Sequence, residues 1–510
     1  LVLTSSQPEA VADLAVGRYG AAGIISWAQN QRTAWWGEDQ SLVRWGHLAT
    51  FGAHPTFAFM VSPARARAWQ IRLAGGESVR LRAAVEAGRE PGAYLIPTAV
   101  IPGRRRDQEI VFSCHLDHPS PGANDDASGC AGILEIARSL NALIAAGRLP
   151  QPERTIRFIW PAEIEATIAL LVARPEFARR TLATIHLDMI GGNTEVTKSI
   201  LRVHGPPPSL PSFVGDVAFT IARYVNDQSL LHADTGAAAL PLVDPSGDRR
   251  ALQAEIGGFN EGSDHQIWSE GSWRIPVIYI ADWPDRYIHT QRDLPENLDP
   301  TKLRRAVFIA AASAWVLANL GADSLPALRP HLRAASLERT ADAERRAASL
   351  LPVEAANLWR RHWEQERAVM DSLARFAPLP PAARAEAGQF LRSLGAAYPG
   401  PAAAAAPADP AHRLVYRRAG EPLGPMSGFG YDWLTDRLRQ AGLASPALLD
   451  RPAGPGPSFA YEALNLVDGR RSVQRIRDDL AATIGPVPVE EVAEFLASLG
   501  RVGIVQPAAR

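Results

Sequence analysis

Between residues 93 and 322 the chain alternates strand-like runs with helical ones. The apolar segments YLIPTAVIPG, EIVFSCHLD, TIRFIWPAE, ATIHLDMIGG and RIPVIYIAD are separated by stretches of helical periodicity such as GCAGILEIARSLNALIAAG and KLRRAVFIAAASAWVLANL. Such alternation buries itself best as a mostly parallel sheet covered by helices, because each crossover lays a helix on a sheet face. The expected fold class is therefore α/β, a mixed, mainly parallel sheet flanked by helices. Open sheets of this kind place their sites at the carboxyl ends of strands, so the residues that follow each strand carry the functional argument.

Composition narrows what those residues can do. The 53 basic and 54 acidic side chains leave a formal charge of -1, which argues against a surface built for nucleic acid. No apolar run approaches the ~18 residues needed to span a bilayer, so no membrane partner is expected. The chain has only two Cys, Cys114 and Cys130, too few for a disulfide framework or a Cys-rich zinc site. Both read as packing residues. Any metal must be held by His and carboxylates. The start, LVLTSSQPEA, lacks a basic region or cleavage-site pattern and suggests a shortened sequence, with secretion or a periplasmic location open if a leader has been removed.

The stretch FSCHLDHPSPGANDDASG, residues 112 to 129, packs two His, three Asp and two Gly into the end of a strand and the turn after it. On a continuing strand His115 and Asp117 project to the same side. His115 then reads as a metal ligand, and the Asp117 carboxylate as the group that takes its second N–H and fixes the tautomer. Taken alone, an HxD pair is more often an ordinary strand end, and Asp125 and Asp126 could simply cap the next helix. Further partners arrive at other strand ends: Glu163 and Glu165 after TIRFIWPA, Asp188 at the end of ATIHLD, and His289 after RIPVIYIADWPDRYI. Two His with three or four carboxylates suit zinc or a similar first-row ion better than calcium or magnesium.

In order along the chain, HLD, GANDDASG, a Glu-containing segment after a strand, LDMIGG, EGSDH and IHTQRDLPENLD resemble the M28 family of zinc metallopeptidases, over about residues 93 to 320. The resemblance implies up to two zinc ions: His115 and Asp188 on one, His289 on the other, Asp125 bridging, and Glu163 as general base. It also places Asp264 and His265, in a polar loop with Ser263, near the substrate. The family commonly has two adjacent glutamates, the second a metal ligand, whereas this chain has Glu163, Ile164, Glu165. A local bulge that brings in Glu165 would repair the set, since alternate strand residues face one way. Tyr287 lies near the position where a tyrosine often precedes the last metal histidine, here occupied by Ile288.

The expected activity is zinc-dependent hydrolysis of peptide or aminoacyl amide bonds, most readily by an aminopeptidase, with one or two zinc ions and an open oligomeric state. A glutaminyl-cyclase-like transferase and a non-catalytic binding protein on a peptidase scaffold are the alternatives. Around the catalytic domain, residues 1–92, with VLTSS and YGAAGIIS, resemble a protease-associated domain and read as a small α/β or β-rich module. Residues 323–396 read as amphipathic helices, 397–455 as a linker or extended region containing AAYPGPAAAAAPADPAHR, and 456–510 as a winged-helix-like module. Its arginines Arg470, Arg471, Arg475 and Arg477 are matched by acids, so DNA binding is a weak reading there.

Overall fold

In the computed structural model, residues 1–29, 37–48, 54–88, 90–119, 121–401, 409–426, 433–452 and 456–508 are described. The sheet expected from the alternating segments is present, with seven strands in the spatial order Thr98–Ile101, Arg154–Ile159, Arg105–Ser113, Thr181–Asp188, Val277–Trp283, Ile200–His204, Ala254–Ile256. The four central strands run parallel, while Thr98–Ile101 and Ile200–His204 pair antiparallel to their inner neighbours. The last two strands, short and partly polar, carried no clear signal in the sequence. Helices Gly129–Ala145 and Pro300–Asn319 contribute Ile133, Ile136, Ile309 and Leu317 to the core beneath Ile110, Phe112, Phe158 and Ile185. At roughly 25 cal/mol per Å² of apolar area removed from water, this core is what holds the strand ends in place.

The first module is α/β. A parallel three-stranded sheet, Val2–Thr4, Ile24–Ser26 and Ala58–Met60, is accompanied by helices Pro8–Ala12 and Pro63–Ala74. It docks on the loop that carries His289: Trp45 N–H donates to the His289 carbonyl at 3.0 Å, and the buried Arg44 guanidinium donates to the Ile288 carbonyl at 3.0 Å.

The helical region is three helices, Leu325–Ala347, Pro352–Ser372 and Pro381–Ala397, and it shares the core of the sheet domain. Leu332, Val369, Met370, Leu373 and Phe376 belong to the same buried cluster as the strands. Arg339 bridges the buried Asp216 of helix Phe213–Thr235 and the buried Glu366 of the helical region.

The region read as a linker belongs largely to the C-terminal body. Residues 402–408, including much of the Pro/Ala stretch, lie outside the described residues. Beyond them, strand Tyr416–Arg418 pairs antiparallel with Val505–Pro507, and Leu434, Leu438 and Leu448 pack with Phe459, Leu480 and Phe495. Every residue of helix Phe459–Asn465 is buried. Among the described residues, no helix is long and apolar enough to cross a membrane.

Candidate metal centre

Strand Arg105–Ser113 stops before His115, so His115 and Asp117 lie in a loop and not on the continuing strand the alternation suggested. The two cysteines close that loop. Cys114 and Cys130 form a disulfide across 16 positions, which corrects their reading as packing residues. A pair of Cys at strand end and helix start was too little to name as a framework, yet their Cα atoms are 5.3 Å apart.

His115 is held at both ends. Its backbone N–H donates to Asp126 Oδ2 at 3.1 Å, and its Nδ1 lies 3.0 Å from the backbone carbonyl oxygen of Asp117. A carbonyl only accepts, so Nδ1 carries a proton and Nε2 is the nitrogen turned toward the acids. Nε2 faces Asp125 Oδ1 at 3.1 Å and Asp188 Oδ1 at 3.5 Å. Asp117 therefore orients His115 through its backbone; its carboxylate is 3.8 Å from Nδ1 and instead accepts the Glu163 backbone N–H at 2.6 Å. The expected carboxylate contact is replaced because the loop turns away from strand geometry after Cys114.

Asp125 sits at the centre. Asp293 clamps its backbone, accepting the N–H of Asn124 through Oδ1 at 2.8 Å and that of Asp125 through Oδ2 at 2.9 Å. The Asp125 carboxylate oxygens then face opposite ways, Oδ1 toward His115 and Oδ2 toward His289 Nε2 at 3.0 Å and His118 Nε2 at 3.4 Å. Asp126 points elsewhere, its Oδ1 accepting from Gly129 and Met189 backbones. Glu163 offers a carboxylate oxygen within 4.8 Å of ligand atoms of His115 and Asp188.

Charge in this cluster is lopsided. Among the described residues, the ion pairs of Asp125 and Asp188 are all with histidines. Burial opposes a proton on His115, but Asp188, Asp125 and Asp126 outweigh it and hold its pKa well above the ordinary value. Burial raises the Glu163 pKa well above the usual carboxylate range, with Asp264, Asp188 and Asp125 adding to it. Burial also works to raise Asp125, but hydrogen bonds from His115, His118 and His289 bring it well below. Asp188 Oδ1 is buried and has no hydrogen-bond partner, 3.5 Å being too long for a good bond to His115. Buried acids converging with imidazole nitrogens, with an orphaned oxygen among them, fit a divalent cation that would displace the imidazole protons.

The other predicted residues fall outside this group. Strand Arg154–Ile159 ends before Trp160-Pro161, and proline offers no N–H for a continuing ladder. Ile164 takes φ 62 and its N–H donates to Asp264 Oδ1 at 2.8 Å. Its side chain is fully buried among Val111, Leu171, Phe177 and Trp268, on the apolar side of the turn. Glu165 begins helix Glu165–Ala173 and is absent from the converging set, so the bulge expected to bring it in is replaced by a helix start. Asp264 and His265 are fully buried supports beneath the cleft. Burial pushes the Asp264 carboxyl up to about 7, and the His265 ring stacks on Tyr279 with centroids 3.7 Å apart. Ser263 Oγ lies 2.9 Å from His186 Nε2. Tyr287 is buried under the Arg286 guanidinium, 5.1 Å from its ring centroid, and does not line the cleft.

The cleft above the cluster, about 680 Å³, is lined by Asp125, Glu163, Asp188 and His289 on its floor and by Glu9, Trp45 and His47 of the first module. The indole of Trp45 covers His289 at a centroid distance of 3.5 Å and stacks on His118 at 5.5 Å. Sequence reasoning passed over His118, Asp293 and Trp45. His118 stands in a Pro- and Gly-containing loop where no periodicity gives a side chain its direction; the one usable signal was its place in the HLDH run. Gly122 makes that loop possible: at φ +69 it lies so close that a Cβ would come within 2.7 Å of the His118 ring.

Residues 98–314 match the family model described as Peptidase family M28. The matched segment contains the four central parallel strands and every member of the convergent His–carboxylate cluster. The chain is 25% identical over 293 residues to leucine aminopeptidase 1 of Pyrenophora tritici-repentis, covering 53% of this chain and 69% of that protein. It is 34% identical over 114 residues to leucine aminopeptidase 1 of Ajellomyces capsulatus, covering 20% and 28%. Over 107 residues it is 34% identical to aminopeptidase NAALADL1 of Mus musculus, covering 20% of this chain and 14% of that protein. Among solved structures, BSAP, a zinc aminopeptidase from Bacillus subtilis, aligns at 17% identity and a TM-score of 0.44 over 62% of this chain and 69% of that one. An aminopeptidase from Aneurinibacillus sp. strain AM-1 aligns at 20% and 0.35, over 62% and 68%.

Proposed function

We infer that the chain is a zinc-dependent peptidase of the aminopeptidase type, acting on peptide or aminoacyl amide bonds in the cleft over Asp125. The observation that carries this reading is the division of the Asp125 carboxylate, with one oxygen toward His115 and the other toward His289. His115, Asp188, Asp125 and His289 would hold the metal, which when bound supplies Lewis acidity to polarise the scissile carbonyl and acidify water. Glu163 accepts a proton from the attacking water as its oxygen bonds to the carbonyl carbon. The C–N bond then breaks, and Glu163 returns that proton to the leaving amine nitrogen. Asp117 fixes the Glu163 backbone while its own carbonyl sets the His115 tautomer. The Trp45 side of the first module forms one wall of the cleft. The relatives named as aminopeptidases favour an exopeptidase among the M28 possibilities. The Cys114–Cys130 bond suits an oxidising compartment.

The test is hydrolysis of a panel of aminoacyl and peptidyl amides by metal-free protein before and after zinc is added. Activity that appears only with zinc and is greatest on substrates with a free amino terminus is expected. Full activity in verified metal-free protein overturns the reading, and release of ammonia with ring closure on N-terminal Gln substrates points to the transferase instead.

A further inference from the structure

The geometry points to His118 as the ligand that completes a second metal site with His289 and Asp125, taking the place left by the isoleucine at 164. This deepens the peptidase reading above and rests on it. The position that would carry an adjacent carboxylate is spent on the core: the Ile164 side chain is fully buried in an apolar cluster. Glu165 starts a helix outside the cluster. His118 stands where a donor is needed, its side chain 8% exposed and its Nε2 3.4 Å from Asp125 Oδ2, the oxygen that His289 Nε2 faces at 3.0 Å.

These separations are compatible with shared metal ligation. Ligands about 2.0–2.1 Å from one tetrahedral zinc lie roughly 3.3 Å from each other. A direct charged N–H···O bond would be nearer ~2.8 Å. The His118–Asp125 and His115–Asp188 distances, 3.4 and 3.5 Å, lie nearer the first figure, while the His289 and His115 distances to Asp125, 3.0 and 3.1 Å, lie between the two. Two sets follow: Asp125 Oδ1, His115 and Asp188 on one side, and Asp125 Oδ2, His118 and His289 on the other. Trp45 covers both imidazoles of the second set, and Gly122 lets the loop bring His118 in. A nitrogen in place of a carboxylate lowers the negative charge of the second set and favours zinc or cobalt over manganese or magnesium.

The experiment titrates zinc into the metal-free full chain by calorimetry, with metal analysis of the product, for the parent, His118→Phe, His118→Ala and His115→Ala. The parent should bind two equivalents. His118→Phe keeps a ring against Trp45 but has no nitrogen, and should weaken the second equivalent by more than about 100-fold while the first is unchanged, since even losing a group behind a ligand costs 10–100-fold. His118→Ala should do the same with an unaltered unfolding temperature of the metal-free protein, which separates lost ligation from lost folding. His115→Ala should strike the first equivalent. Two equivalents bound by His118→Phe at parental affinity overturn the inference. So does a parent that binds a single equivalent removed by His115→Ala, an outcome that leaves the peptidase reading standing; a parent that binds no zinc overturns both.

Discussion

The carboxylate of Asp117 accepts the backbone N–H of Glu163 at 2.6 Å, while the backbone carbonyl of the same residue faces His115 Nδ1 at 3.0 Å. One exposed residue thus ties the loop bearing His115, a proposed metal ligand, to the turn bearing the proposed base. The two attachments use different groups, so a side-chain substitution separates them. Asp117→Ala should leave zinc content unchanged, because the carbonyl survives, and lower kcat by as much as ~10²-fold through a misplaced Glu163. Loss of zinc in that variant would return the carboxylate to the role of His115 orienter.

Glu163 and Glu165 should behave differently. Glu163→Gln keeps shape and polarity but cannot take the proton, so kcat should drop by ~10²–10⁴ with the metal retained. Glu165 stands at a helix start outside the cluster, and Glu165→Gln should change neither zinc content nor kcat appreciably. Metal analysis beside single-substrate kinetics checks both, and zinc loss in Glu165→Gln would revive the carboxylate ligand.

Removing the disulfide should loosen the ligand loop. Closing about 15 residues stabilises a fold by ~3 kcal/mol in the chain-entropy description. Cys114→Ala with Cys130→Ala should therefore lower the unfolding free energy by roughly 2–4 kcal/mol and weaken zinc binding, because the loop between them carries His115, His118 and Asp125. Chemical denaturation of the metal-free pair of proteins measures the first effect, and competition with a chelator the second.

The C-terminal body should stabilise the catalytic domain in a pH-dependent way. Tyr461 is fully buried, with its hydroxyl donating to the Gln266 carbonyl at 2.6 Å, and the Ser209 hydroxyl donates to Glu462 at 2.5 Å. Burial pushes the Glu462 carboxyl up to about 7, against the pull of Ser209 and Arg361. A carboxyl with a folded pKa above its unfolded value favours the fold below the unfolded value, and that contribution is lost as pH rises through about 7. Glu462→Gln should gain on the parent by on the order of 2–4 kcal/mol between pH 5 and pH 8. Thermal unfolding of the two proteins across that range checks it; parallel curves would mean that Glu462 is ionised in the fold at all these pH values.

What the sequence determined by itself was the sheet and the strand ends. Apolar runs such as ATIHLD and EIVFS bury on both faces of a parallel sheet and leave little choice of structure, so Asp188 was placed at a strand end by pattern alone, whereas the strand read on through His115 and Asp117 stops at Ser113. Asp125, Glu163 and His289 were candidates from their places after strands, and the resemblance supplied their expected roles; the folded chain brings them around one floor. Tertiary structure decided the rest. Whether Ile164 or Glu165 turns toward the His–carboxylate cluster depended on a positive φ and an apolar pocket contributed by Phe177 and Trp268. Whether Asp117 served His115 by side chain or backbone depended on where the strand ended, and the Cys114–Cys130 bond depended on a helix start returning to that strand end. His118 belongs to the same class. Turns carry no periodicity, so the direction of a side chain on them is set by residues distant in sequence, here Gly122, Asp125 and Trp45, that meet it only when the chain has folded.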